Sequence, residues 1–247
     1  MLNRLRIKIF ADGADIQSMK ALAANPAIKG FTTNPSLMRK ANITDYVAFA
    51  HEVLAAIPNH HVSFEVFADE FPEMEAQALE IASWGRNVYV KIPVTNTKGA
   101  SAMPLVQRLS REGVQLNVTA VFTLSQVEAI TAALDAGTPA VISVFAGRIA
   151  DTGVDPMPLM ADAKKIARAK PKAELLWASP RELLNIFQAD SVGCDIITVA
   201  HDVLAKLDLV GKNLDEFSLE TVKTFYKDAT AAGYSIPRGI PRAARTG

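Results

Sequence analysis

Eight short apolar runs punctuate the chain, at residues 7–13, 30–34, 62–68, 88–93, 115–122, 140–147, 174–179 and 195–200. Helical patterns fill most of the gaps, as at 73–84, 125–136, 157–169 and 180–188. Strands alternating with helices make parallel βα units, and eight such units are the number that closes a ring. The predicted fold is α/β, a (β/α)8 TIM barrel, and 247 residues suit one barrel of roughly 250. An open doubly wound sheet is disfavoured. No Gly-x-Gly-x-x-Gly turn follows the first run, and no Walker-type loop occurs. With no linker or composition break before Pro237, residues 1–237 read as one domain and 238–247 as a flexible tail.

Beyond the eighth run, a helix near 202–207 and an additional C-terminal helix at 218–232 are expected. The second carries Leu219, Val222, Phe225 and Tyr226 at helical spacing. That stripe has to be buried on its own barrel or on a neighbouring subunit. The start of the helix stays open, because neither the Ser218/Thr221 nor the Asp215/Ser218 spacing completes a capping box.

Lys plus Arg and Asp plus Glu number 26 each, so no global field points to nucleic acid or a membrane surface. No apolar stretch approaches the roughly 20 residues of a membrane span, no secretory segment opens the chain, and a cytoplasmic setting is expected. The single cysteine, Cys194, rules out an internal disulfide framework and reads as a small core residue. The four histidines, His51, His60, His61 and His201, lack metal-ligand spacing, so neither metal nor cofactor is expected.

Lys91 lies within the apolar string Val88-Tyr89-Val90-Lys91-Ile92-Pro93-Val94. Such a strand should be buried on at least one face, and lysine is almost never fully buried without a partner. Burial disfavours the ammonium and makes a nucleophilic amine available, as a Schiff-base lysine requires. The alternative is an edge-strand lysine with a packed stem and a wet head. Alternation along the strands puts further polar groups on the same inward face. Val62, Phe64 and Val66 are expected to face the helices, with Ser63, Glu65 and Phe67 facing the axis. Asn117 and Thr119 share a face, as do Ser143 and Phe145. A barrel interior normally packs Val, Ile and Leu. Inward Glu65, Lys91, Asn117, Thr119 and Ser143 therefore read as a site, or as a structural Glu65–Lys91 ion pair with its neighbours.

Strand ends add more candidates. Asp12 ends the first run on the face where barrel active sites lie, and also suits an Asp-Gly turn. Asn34, before Pro35, suits a site or a helix N-cap. Ser179-Pro180-Arg181-Glu182 matches a capping box with Pro180 at N1 and Glu182 at N3. Its free N–H groups and Arg181 suit an anion, with Arg148 as a second cation near the same rim.

Together the strings Phe10-Ala11-Asp12, Thr32-Thr33-Asn34-Pro35-Ser36-Leu37, Val90-Lys91-Ile92-Pro93-Val94-Thr95, Asn117-Val118-Thr119, Ser143-Val144-Phe145-Ala146-Gly147-Arg148-Ile149 and Ala178-Ser179-Pro180-Arg181 resemble the transaldolase family of class I, Schiff-base aldolases. They span residues 7–200 in family order. The short length resembles the compact subfamily that includes fructose-6-phosphate aldolases.

The resemblance implies a transaldolase that moves a dihydroxyacetone unit from a ketose phosphate to an aldose phosphate, in the pentose phosphate pathway. It implies Lys91 as Schiff-base residue and Asp12 as the base for carbon–carbon cleavage. Glu65 and Thr119 would shuttle protons through a water held between them. Asn34, Asn117 and Ser143 would hold the three-carbon unit, and Arg148, Ser179 and Arg181 the phosphate. Glu65 and Phe145 resemble true transaldolases, whereas the aldolase branch has glutamine and tyrosine there, so transfer is favoured over simple aldol cleavage. Pro180 departs from the family pattern, as do Gly13 and Ala146, and leaves a sulfonate or other anionic ketose open. The subfamily also implies a homo-oligomer, usually a decamer, with the C-terminal helix on a neighbour.

Overall fold

The computed structural model describes residues 5–236. Eight parallel strands occur in chain order: β1 (Lys8–Asp12), β2 (Ile28–Thr32), β3 (His61–Glu65), β4 (Val88–Pro93), β5 (Leu116–Val121), β6 (Ala140–Val144), β7 (Ala173–Trp177) and β8 (Ile196–Ala200). Each pairs with the next, and β8 pairs back to β1, which closes the barrel. The helices are α1 (Ile16–Ala23), α2 (Pro35–Lys40), α3 (Tyr46–Ala56), α4 (Phe71–Ser83), α5 (Met103–Arg111), α6 (Leu124–Ala133), α7 (Ala146–Ala150), α8 (Pro156–Ala167), α9 (Leu184–Ser191), α10 (His201–Leu204) and α11 (Leu214–Ala231). The expected TIM barrel with an extra C-terminal helix is what the chain forms.

Caps set the helix starts. Asp15, Asn34, Asp45, Thr123, Asp155 and Asn213 each accept a backbone N–H of the first turn, and Thr123 with Gln126 completes a capping box. Asn213 is the cap that the sequence left open, and α11 accordingly begins four residues ahead of the expected 218. Among the described residues, 5–207 form one compact unit, and residues 208–236, which contain α11, form another. None of the α11 residues is buried, and Phe225 and Tyr226 are 68% and 76% exposed. The expected tail at 238–247 lies outside the described residues.

Strand alternation sorts the side chains into two layers. Val62, Phe64, Val88, Val90, Ile92, Leu116 and Val118 belong to the large core between strands and helices. A second, small cluster of Phe10, Val141, Leu176, Ala178 and Ile196, with Tyr89 and Phe145 against it, fills the barrel interior. Its aromatic part is tight: His61 stacks on Tyr89 at 3.6 Å, and Phe10 meets the His61 ring edge-on at 4.7 Å. Gly30 makes this possible, since a Cβ there would fall 2.6 Å from Phe10 Cζ and 2.8 Å from the His61 carbonyl oxygen.

One inward assignment is corrected. Phe67 does not face the axis, because β3 stops at Glu65 and the chain turns outward. Its ring is half exposed and packs at 4.5 Å on Tyr46, in an outer groove shared with Val47 and Trp84.

Gly30→Ala should therefore destabilise the barrel. Overpacking costs about 1–3 kcal/mol, so the urea midpoint should fall by that equivalent while Gly85→Ala, where the nearest atom is the end of Asn87, has a smaller effect.

Candidate active site

Parallel register gathers the polar residues. Glu65 is the register partner of Lys91, and Lys91 of Asn117, so three neighbouring strands put these side chains in one layer. They line a cavity of about 450 Å3 at the C-terminal ends of the strands, with Asp12, Asn34, Thr119, Ser143, Phe145, Arg148 and Ser179. All eleven sequence-predicted site residues except Arg181 thus line one cavity.

Lys91 is 7% exposed. Its Nζ lies 3.1 Å from Glu65 Oε2 and donates to the Thr33 carbonyl oxygen at 2.9 Å. The Glu65 main chain is clamped from outside the barrel. The Tyr46 hydroxyl accepts from Glu65 N at 2.9 Å and donates to Glu65 O at 3.0 Å. Burial of that phenol raises its pKa above the ordinary range, which keeps it a donor. The Thr119 hydroxyl is buried and has no hydrogen-bond partner among the described residues. A buried polar group left unmatched is expensive, so this hydroxyl marks a place for a water or a substrate atom.

Asp12 ends β1, and Thr32 Oγ1 donates to its Oδ1 at 2.8 Å. Burial raises the Asp12 pKa, against the opposing charge of Lys91 and the Thr32 hydrogen bond. Gly13 leaves room beside it for a ring: a Cβ there would lie 3.1 Å from His201 Nε2. Asn34 Oδ1 caps α2 by accepting from Leu37 N at 3.0 Å, as one of its two readings expected, and the residue also lines the cavity.

Two backbone positions at the cavity are strained. Ala120 (φ 60°) sits at the β5–β6 register shift between Val118 and Val121, a bulge next to the Thr119 hydroxyl. Ser179 (φ 56°) lies against Gly147, where any Cβ would meet the Ser179 carbonyl oxygen at 1.5 Å. Non-glycine residues in this region cost of order 1–3 kcal/mol and cluster at functional sites.

The anion cradle differs from expectation. The capping box at 179–182 does not form. Helix α9 starts at Leu184, and the Arg181 and Glu182 N–H groups both donate to Asn185 Oδ1. Those N–H groups are therefore not open to an anion. The Arg181 guanidinium makes a two-point ion pair with Asp151, Nε to Oδ1 at 2.9 Å and Nη2 to Oδ2, and is absent from the cavity wall. Of the two expected arginines, Arg148 is the one that lines the cavity, its Cζ 5.0 Å from the centre of the Phe145 ring. Sequence reasoning missed Thr32, Thr198 and the Thr33 carbonyl. Thr32 and Thr198 pair through their hydroxyls on the cavity wall. Gly30-Phe31-Thr32 alternates as the other strands do, and that was the available signal.

A family model described as transaldolase/fructose-6-phosphate aldolase matches residues 9–236. The chain belongs to this family. Its members make it an enzyme of the class I aldolase type with transaldolase-type activity. A probable transaldolase of Dehalococcoides mccartyi is 38% identical over 202 residues, 81% of this chain and 90% of that protein. One from Streptococcus equi subsp. zooepidemicus is 34% identical over 225 residues, covering 90% and 97%. Among solved structures, KGPDC from Streptococcus mutans superposes with a TM-score of 0.54 at 8% identity, over 81% of this chain and 89% of that one. This likeness concerns the barrel fold alone.

The Asp12 environment predicts a pH effect. A carboxylate whose folded-state pKa lies above its ordinary 3.8 leaves the native state holding more protons than the unfolded chain. Stability from this group is full below pH 3.8 and is lost as pH rises through the folded value. Asp12→Asn should therefore gain stability relative to wild type between pH 3.5 and pH 7, read from urea midpoints at both; a constant difference would contradict the assignment.

Proposed function

We propose that the chain transfers a three-carbon dihydroxyacetone unit from a ketose phosphate to an aldose phosphate through a Schiff base on Lys91. The observation that carries this reading is a buried lysine amine in a cavity, 3.1 Å from a carboxylate, with an unpartnered hydroxyl on the same wall. A structural ion pair accounts for the first two features and not for the cavity or the Thr119 hydroxyl.

The steps follow from the groups present. The Lys91 amine, having released a proton towards Glu65, adds to the ketone carbon to give a carbinolamine. Glu65, through a water bonded to Thr119, returns a proton to the carbinolamine hydroxyl, which leaves as water and yields the protonated imine. Asp12 takes the proton of the hydroxyl on the carbon beyond the scissile bond. That bond breaks, an aldehyde departs, and its electron pair is stored in the enamine. The acceptor aldehyde then re-forms a carbon–carbon bond by the reverse steps. Asn34, Asn117 and Ser143 hold the three-carbon unit, and Arg148 with Ser179 holds the anionic end. Phe145 supports transfer over cleavage, because its ring has no hydroxyl to orient a water against the enamine.

The pairing of Arg181 with Asp151 favours a second reading of the anion. It leaves one arginine at the cavity rather than two, which suits a sulfonate as well as a phosphate. We further propose a cytoplasmic homo-oligomer, a decamer with α11 on a neighbour, acting in the pentose phosphate pathway. No helix among the described residues is long and apolar enough to cross a membrane.

Borohydride reduction in the presence of fructose 6-phosphate should leave a covalent adduct on Lys91, and Lys91→Ala should lose both adduct and activity. With erythrose 4-phosphate added, sedoheptulose 7-phosphate should form; free dihydroxyacetone without acceptor would instead mark an aldolase. Full activity in Lys91→Ala would end the proposal.

A further inference from the structure

A chain of hydrogen bonds crosses the barrel interior from the floor to the cavity. Ser143 Oγ donates to Asn117 Oδ1 at 2.6 Å, Asn117 Nδ2 donates to Ser63 Oγ at 3.0 Å, and Ser63 Oγ lies 3.1 Å from His61 Nε2. Ser63 and Asn117 are fully buried and Ser143 is 3% exposed. Asn117 and Ser143 line the cavity, and Asn117 is level with Lys91 on the neighbouring strand. His61 and Ser63 belong to β3 and take no part in the reaction proposed above.

The polarity of this chain follows from counting protons. A serine hydroxyl carries one hydrogen and two lone pairs. Ser63 accepts from the Asn117 amide, so its own hydrogen is left for the His61 Nε2 lone pair. That requires an uncharged ring with its proton on Nδ1. Burial, helped by the charge of Lys8, lowers the His61 pKa to about 3 and so keeps the ring neutral. The ring itself is fixed by Tyr89 stacked on its face and Phe10 at its edge.

We infer that His61 is a positioning residue, which acts through Ser63 to hold the Asn117 carboxamide in one orientation and so sets how the cavity recognises a substrate hydroxyl. With Oδ1 turned to Ser143 and Nδ2 to Ser63, Asn117 offers its second N–H to the cavity, and the Ser143 oxygen, its hydrogen engaged, offers lone pairs. The pair both donates to and accepts from a single hydroxyl, as on the carbon beside a ketone. A proton on Nε2 instead would invert the chain. Ser63 would donate to Asn117, the amide would turn over, and Ser143 would face the substrate as a donor.

This inference rests on the Schiff-base reading, and the test separates the two. In enzyme labelled with 15N-histidine, His61 should show an unprotonated, pyridine-type Nε2 and a proton on Nδ1; a proton on Nε2 overturns the inference. His61→Phe keeps the aromatic packing and removes the acceptor. It should raise KM for fructose 6-phosphate about five- to tenfold, the loss of one hydrogen bond, with kcat and the Lys91 borohydride adduct at saturating ketose retained. His61→Gln, whose Oε1 can accept from Ser63, should recover most of the lost affinity, and a structural role alone would give no such rescue. If His61→Phe does not fold, Ser63→Ala takes its place with the same expected KM. Unchanged KM in these variants, with wild type forming the adduct, overturns the inference alone. Absence of the adduct in wild type overturns the Schiff-base reading and the inference with it.

Discussion

An ammonium inside a ring of strands has few places to put its hydrogens. For Lys91 these are the Glu65 carboxylate and the Thr33 carbonyl, each from an adjoining part of the barrel. The pairing depends on register. Shifting β3 by one residue against β4 would turn Glu65 to the helices and bring Phe64 inward, leaving a buried charge without its counter-ion, a loss of several kcal/mol. Closing the barrel in this register and housing the lysine are therefore one requirement.

The interior serves two purposes at two heights. Below, Phe10, His61, Tyr89 and Ile196 close the barrel as aromatic and aliphatic packing. Above, the side chains turn polar and a cavity opens. The Ser63 hydroxyl joins the levels, touching the His61 ring on one side and the Asn117 amide on the other. Strain at Ala120 and Ser179 lies at the upper level only, where the backbone leaves regular strand geometry to shape the cavity wall.

Much of this could be read from the chain because a parallel strand alternates strictly. Given that Val90 and Ile92 face helices, Lys91 must face in, and the same logic placed Glu65, Asn117, Thr119 and Ser143. The reading failed where alternation stops. Phe67 lies two residues beyond the end of β3, so strand parity no longer governs it. Arg181 is drawn to Asp151, thirty residues away in sequence, and no local pattern announces that ion pair. The apparent capping box at 179–182 lost to Asn185, whose side chain takes both N–H groups that the box would have left open. Main-chain contributions such as the Thr33 carbonyl carry no residue-type signal at all.

Tyr46 belongs to two surroundings at once. Its ring forms one wall of the outer groove, against Phe67 and Trp84, while its oxygen grips both main-chain polar atoms of Glu65. A tilt of that ring cannot occur without tugging the peptide that carries the acid. The exterior of the barrel thus has a lever on the position of that carboxylate at its centre, one aromatic side chain in length.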